Sequence, residues 1–251
     1  MNSSAEIYFS KFATAICGLG LKNQHLIERS IDLGAAYEIK QLQNINKELV
    51  QLLYKSSTFD FVNEIIRGRT LFVGEGNLSF ALSIANMSLI TPNRLIATTF
   101  EAESALSEEA IENADKSRKM GVTVICGVDA TKLSATFGSW LFDNIIFQFP
   151  NVGSREAVEN HNPNFILLRD FLTSAISQLY RTGKVIITTV DNPHYRGAFQ
   201  FEEAAKITGF KSPEIYQFDP FAFSGYEHTM THQTGSAIDK HDKFSTWVFR
   251  V

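Results

Sequence analysis

Thr70-Leu-Phe-Val-Gly-Glu-Gly-Asn-Leu-Ser-Phe-Ala81 is the stretch from which the rest of this chain is read. A short apolar run, residues 71–73, feeds directly into Gly74-Glu75-Gly76-Asn77. Apolar Leu78, Phe80, Ala81, Leu82 and Ile84 then follow a helix-like pattern. A buried strand, a glycine turn and a helix N-terminus in that order form a nucleotide-binding corner. Glycine permits the sharp turn and lets a ligand approach without meeting a Cβ. No third glycine completes G-x-G-x-x-G and no Gly-Lys-Ser/Thr follows. A dinucleotide enzyme and a P-loop NTPase are both disfavoured.

Outward from this corner, short apolar strands alternate with longer helical segments. Strands are predicted over residues 71–73, 94–100, 122–128, 143–149, 183–190 and 243–251, and helices over 78–87, 104–120, 164–180 and 202–208. That alternation predicts an α/β fold, a doubly wound and mostly parallel sheet of Rossmann-like type over residues 67–251. Ligands of such sheets bind beyond the carboxyl ends of the strands, near the switch point. Residues 1–66 hold no proline, and Leu42, Ile45, Leu49, Leu52 and Leu53 recur at helical spacing. They predict an N-terminal helical cap, with breaks near Gly18 and Gly20 and around Gly34.

Composition narrows the function classes. The 251 residues include 21 phenylalanines, enough for one large domain with a substantial core. A net charge of −4 leaves no electrostatic footprint for sequence-independent nucleic-acid binding. Lys116-Ser-Arg118-Lys119 reads as one solvated helix face. Cys17 and Cys126 are isolated, which makes neither a disulfide framework nor a zinc site and suits a reducing cytosol. The apolar run over 12–21 is too short for a secretory leader and follows Glu6 and Lys11. No stretch approaches the about 18–20 apolar residues that span a bilayer, so a cytoplasmic protein without a membrane partner is expected. Oligomeric state is not encoded in any recognisable feature.

Chemistry is sought at the strand ends. Glu75 inside the turn would repel a pyrophosphate and suit a cationic sulfonium or amino group, so the corner reads as a site for S-adenosylmethionine. Gly74, Glu75, Gly76 and Asn77 are its first candidates. Strand two ends in Thr99-Phe-Glu101-Ala-Glu103, where Glu101 can accept from both ribose hydroxyls or simply charge a helix N-terminus. Strand three ends in Asp129-Ala130, where Asp129 can accept from an adenine amino group or cap the next helix. Strand four ends in Gln148-Phe149-Pro150-Asn151, a polar side chain, an aromatic and a proline where a methyl group would be transferred.

Residues 73–80, the Ala97-Thr98-Thr99 strand, Val128-Asp-Ala-Thr131, the run from Phe142 to Pro150, and Gly153 together resemble the Rossmann-like domain of the eukaryotic large-subunit rRNA uridine ring-nitrogen methyltransferases. Gly225-Tyr-Glu-His228, Thr231 and the closing aromatic strand extend the resemblance, which covers residues 69–251. It implies a class I methyltransferase fold, S-adenosylmethionine as methyl donor, and a cofactor site lined by Gly74, Gly76, Glu101, Asp129 and Ala130. Where that family commonly has Asn-Phe-Pro-His, this chain has Gln148-Phe149-Pro150-Asn151.

Methyl transfer requires nucleophile and methyl group to be held close and aligned. Gln148 and Asn151 can orient an acceptor, and Phe149 and Pro150 can shape the cofactor side of the same place. His228 is the nearest candidate base if the acceptor carries a proton. Tyr226, His228 and Thr231 form a candidate substrate loop. His228 and His232 could pair on a metal only on a helix, and neighbouring glycine and β-branched residues argue for a loop, so no metal is expected. Three functions stay open: methylation of a uridine base in rRNA, methylation of a small molecule or peptide, and a non-catalytic binding domain.

Overall fold

The computed structural model describes residues 58–66, 68–154, 156–157, 160–229 and 237–251. The expected helices over residues 1–57, together with Thr231 and His232, lie outside that set. The chain divides into two compact units, Met1–Thr58 and Phe59–Val251, and the second carries every element below.

Seven strands form one sheet: β1 (Thr70–Val73), β2 (Leu95–Thr98), β3 (Thr123–Ile125), β4 (Phe142–Gln148), β5 (Leu179–Val190), β6 (Glu214–Gln217) and β7 (Phe244–Arg250). Their spatial order is β3-β2-β1-β4-β5-β7-β6. The first five run parallel, and β7 lies antiparallel between β5 and β6. This is the doubly wound, mostly parallel sheet expected from the alternation, in class I methyltransferase form. The order reverses between β1 and β4, so the switch point lies where Gly74 and Gln148 leave the sheet.

The described helices are α1 (Phe61–Ile65), α2 (Ser79–Ala85), α3 (Glu108–Met120), α4 (Leu133–Phe137), α5 (Pro163–Ile176), α6 (Pro193–Phe199), α7 (Phe201–Thr208) and α8 (Ala237–Lys240). Their ends follow local chemistry. Ser107 Oγ accepts from the Ala110 amide at the start of α3, Glu108 and Glu109 occupy its first turn, and Gly121 closes it at φ +100°. Asn162 and Asn192 cap α5 and α6 ahead of Pro163 and Pro193.

Central strands are largely buried and rich in apolar residues because helices cover both sheet faces. On one face Val73, Phe147, Ile187 and Trp247 pack with Phe165, Phe171, Phe199 and Phe201. On the other Phe72, Ile146, Ile186 and Val248 pack with Phe61, Phe80, Phe218 and Phe223. Phe59 and α1 belong to this second face, held by the Asp60 cap and by the Glu64–Lys184 ion pair to β5.

Three differences from the expected elements stand out. β5 begins at Leu179 rather than Gly183, because Leu179 still pairs with Phe142. α5 ends correspondingly earlier, at Ile176. β6 and α6 were not anticipated.

Candidate active site

The glycine corner folds as its sequence requires. Gly74 sits at φ +62°, and a Cβ there would lie 2.5 Å from Phe147 Cε2. Both conformation and space therefore demand glycine at this position. The next amide, Glu75 N–H, donates to Thr98 O at 2.9 Å and ties the turn to β2. The Glu75 side chain turns inward, where Oε2 accepts from the Ala81 amide at 3.1 Å in the first turn of α2. Burial raises its pKa to about 7, against the lowering effect of that hydrogen bond. The carboxyl is thus about half ionised at neutral pH, whereas the sequence reading took it as a full charge.

At the end of β4, Phe149 adopts φ +49°, a left-handed conformation costly for an aromatic residue and concentrated at functional sites. Its amide still donates to Thr188 O at 2.8 Å. Its ring meets His228 edge-on at 4.7 Å between centroids, and Phe244 at 5.6 Å. Just before it, both amide atoms of Gln148 are buried with no hydrogen-bond partner among the described residues. Thr189 Oγ1, near the end of neighbouring β5, is in the same condition. Asn151 is exposed, and its Oδ1 accepts from Gly153 N.

Residues 218–229, which leave the carboxyl edge after β6, fold back over the corner. Phe218, Phe223 and Tyr226 pack around Phe80, with Phe223 at 4.9 Å and Tyr226 at 5.0 Å. A polar latch fixes the end of this loop. Asn77 Nδ2 lies 2.9 Å from Glu227 O, 3.0 Å from Thr229 Oγ1 and 2.9 Å from Glu109 Oε1. Ser79 Oγ donates to Glu227 O at 2.9 Å and accepts from Glu227 N at 3.1 Å. Asn113 Nδ2 holds the Asn77 carbonyl at 2.9 Å. His228, between the two latched residues, is held against Phe149. Desolvation lowers its pKa to about 4, so the ring is neutral at physiological pH. Tyr226 is pushed well above its usual range by burial and by the Glu75 charge.

These pieces enclose a cleft of about 440 Å³ at the switch point. Residues 74–77, residues 148–151, Tyr226 and His228 all line it. So do Thr189, His194 and Tyr195, which the sequence reading did not single out. Among the described residues no lysine or arginine lines the cleft, and the carboxyl groups that do belong to Glu75 and Glu227. That donor set fits a ligand carrying sulfonium and ammonium charge and offers no cation for a phosphate.

Glu101, Asp129 and Ala130 lie outside this lining, at the carboxyl ends of β2 and β3. Backbone bonds join these two strand ends to each other: Gly127 N donates to Glu101 O, and Val128 N to Thr99 O. Asp129 caps the turn 130–132, with Oδ1 accepting from Thr131 N at 2.9 Å and Thr131 Oγ1 at 2.6 Å. Desolvation opposes its ionisation, but the Thr131 bonds and the Lys132 ammonium hold its pKa below the usual aspartate value.

Residues 71–230 match the model of the BMT5-like family, "rRNA (uridine-N3-)-methyltransferase BTM5-like". The chain belongs to this family. As a BMT5-like chain it is similar to Ferredoxin-fold anticodon-binding domain-containing protein 1 homolog of Mus musculus, 33% identical over 175 residues. That match covers 64% of this chain and 28% of the mouse protein. Ferredoxin-fold anticodon-binding domain-containing protein 1 of Homo sapiens is 30% identical, over 64% of this chain and 27% of its own length. The BMT5-like chain thus spans little more than a quarter of the length of these two relatives. Among solved structures, TrmN from Thermus thermophilus aligns with a TM-score of 0.46 at 18% identity, covering 80% of this chain and 48% of that one.

Proposed function

We propose that this chain is an S-adenosylmethionine-dependent methyltransferase acting on the N3 nitrogen of a uridine in ribosomal RNA, as its family's name describes. The observation that supports this best is the cleft itself. A glycine corner, a strained aromatic and a buried carboxamide without a partner meet at the switch point of a doubly wound sheet. When bound, S-adenosylmethionine supplies an electrophilic methyl group. Gly74, Glu75, Gly76 and Asn77 would hold it, with Glu101 and Asp129 extending that edge toward its nucleoside part.

The acceptor nitrogen must lose a proton as it gains the methyl group. His228 is neutral and therefore able to accept a hydrogen bond from an N–H in the cleft. Phe149 fixes that ring by edge contact. The latch at residues 227–229 closes this side of the cleft and limits water around the reacting atoms. Isolated Cys126 and Cys17 support a reducing compartment such as the cytosol for this work. Among the described residues no helix is long and apolar enough to cross a membrane.

Methylation of a small molecule or peptide is a second reading, favoured by the lack of a cation among the described lining residues and by the net charge of −4. One experiment separates the two. Large-subunit rRNA fragments are incubated with the protein and labelled S-adenosylmethionine, digested, and resolved as nucleosides by mass spectrometry. The expected product is N3-methyluridine, reduced at least tenfold by His228→Ala. Label incorporated into a small-molecule pool but never into RNA would overturn the reading.

A further inference from the structure

Glu75 is an unusual carboxyl for its position: it is only 7% exposed, yet it lines the cleft. Its Oε2 is fixed by the Ala81 amide in the first turn of α2, 3.1 Å away. Its Oε1 accepts no hydrogen bond among the described residues and is not one of the polar atoms sealed from solvent. One oxygen is therefore gripped and the other is left open.

The surroundings supply no counter-charge. Among the described residues no lysine or arginine lines the cleft. The 225–229 loop brings Tyr226, Glu227 and His228. Tyr226 lies close enough to feel the Glu75 charge and stays protonated, and the buried His228 ring is neutral down to about pH 4. Glu227 is a second carboxyl, and α3 adds a third in Glu109, bonded to Asn77 at 2.9 Å. α6 contributes His194, an exposed imidazole. A carboxylate taken out of water without a cation is costly, and protonation relieves that cost. A cation entering the cleft reverses the balance, because an opposite charge nearby favours the ionised form.

A methyltransferase meets two ligands that differ in this respect. S-adenosylmethionine and adenosylhomocysteine share adenine, ribose and amino-acid groups, and differ by one methyl group and one positive charge at sulfur. On the reading that this cleft binds the methyl donor, we infer that Glu75 separates donor from spent product by charge. Its carboxyl releases a proton to solvent as the sulfonium ligand binds and takes one back once that charge is gone. Preference for donor over product then rises with pH. With a pKa raised to about 7 by burial, Glu75 in the free protein is about one-tenth ionised at pH 6 and about nine-tenths ionised at pH 8. A ligand that needs the ionised form gains about tenfold in affinity between those values.

The test is calorimetric titration of the full chain with S-adenosylmethionine and with adenosylhomocysteine at pH 6, 7 and 8. Each titration is run in two buffers of different ionisation enthalpy, so that affinity and proton release are read together. From pH 6 to pH 8 the affinity for S-adenosylmethionine should rise about tenfold more than that for adenosylhomocysteine. About half a proton should leave per S-adenosylmethionine bound at pH 7. Glu75→Gln should abolish both effects while still binding the two ligands, and it cancels the titration of the ligands' own amino group. His194→Gln should leave both effects in place.

Equal pH dependence and proton release for the two ligands would overturn the inference on the parent protein alone, whatever the variants do. Effects that persist in Glu75→Gln, or vanish in His194→Gln, would also overturn it. Each of these results leaves the cofactor reading intact. Binding of neither ligand at any pH would overturn the cofactor reading and the inference with it.

Discussion

Replacing Asn77 by alanine tests whether the glycine corner and the residue 227–229 loop act as one unit. Asn77 is only 5% exposed, and its amide nitrogen bridges Glu227 O, Thr229 Oγ1 and Glu109 Oε1 while Oδ1 accepts from Ser79 N at 3.2 Å. Glu109 is exposed and is resolvated at little cost. The two bonds to the loop are worth about 1 kcal/mol each, and the contact to Ser79 N at the head of α2 adds about 0.5–1 kcal/mol. Their sum, about 2–3 kcal/mol, corresponds to a fall in melting temperature of about 5–10 °C for a domain of this size.

Ser79→Ala sharpens the test because both side chains serve the Glu227 carbonyl. Each single variant leaves that oxygen one donor, and the double variant leaves none. The double should therefore lose more than the sum of the singles, by about 1 kcal/mol in a thermodynamic cycle. Circular dichroism melts supply the cycle, and hydrogen exchange at residues 225–229 reports whether the loop is the part released. The acceptor KM should rise more than the adenosylhomocysteine Kd, since the loop carries His228 and Tyr226. Strict additivity with unchanged loop protection would refute the latch.

Glu75→Gln should raise the melting temperature at pH 8 and leave it unchanged at pH 4. The native pKa of about 7 exceeds the ordinary glutamate value of 4.5, so the folded state holds more protons between those values and loses stability as pH rises through them. No rise at pH 8 would mean the carboxylate is better solvated than its burial implies. His228 has the opposite sign: its native pKa of about 4 lies below 6.5, so stability falls as pH drops from 6.5 toward 4. Asp239 is the acidic group opposing that shift. His228→Gln should flatten this acid limb of the melting curve, and an unchanged limb would assign it elsewhere. Asp129→Ala should lower stability by about 1 kcal/mol through the lost cap and weaken adenosylhomocysteine binding by at least tenfold in calorimetry. Loss of stability alone would restrict Asp129 to capping.

The parts of this fold legible in the sequence are those whose local chemistry is also their global role. β1 and the core of β4 are buried on both faces and therefore read as unbroken apolar runs. Gly74 is demanded by its own φ, so the corner was readable without knowing its neighbours. β6 has three exposed positions and pairs in the described sheet with β7 at its edge, so Glu214-Ile-Tyr-Gln217 carries no period-two signal. α6 did advertise its start in Asn192-Pro193, but Gly197 inside it weakens the helical pattern. The latch joins residues about 150 positions apart through a backbone carbonyl, which no side-chain pattern records. Glu75 illustrates the same limit for charge: the residue type was visible, but the burial that neutralises half of it was not.

What the cleft lacks bears on how an RNA acceptor would be received. Among the described residues, Arg196, which follows the lining residues His194 and Tyr195, is already engaged by Asp191 at 2.8 Å. Among the described residues a phosphate entering the cleft would meet Glu75 and Glu227 and no cation. A base entering alone meets aromatic edges and a neutral imidazole, both of which suit an uncharged heterocycle. The cavity therefore favours a nucleobase turned out of its strand, with the sugar–phosphate backbone left outside. Recognition of the strand and recognition of the base are then separate tasks. On the proposed function the described residues serve the second task, and a net charge of −4 is compatible with it.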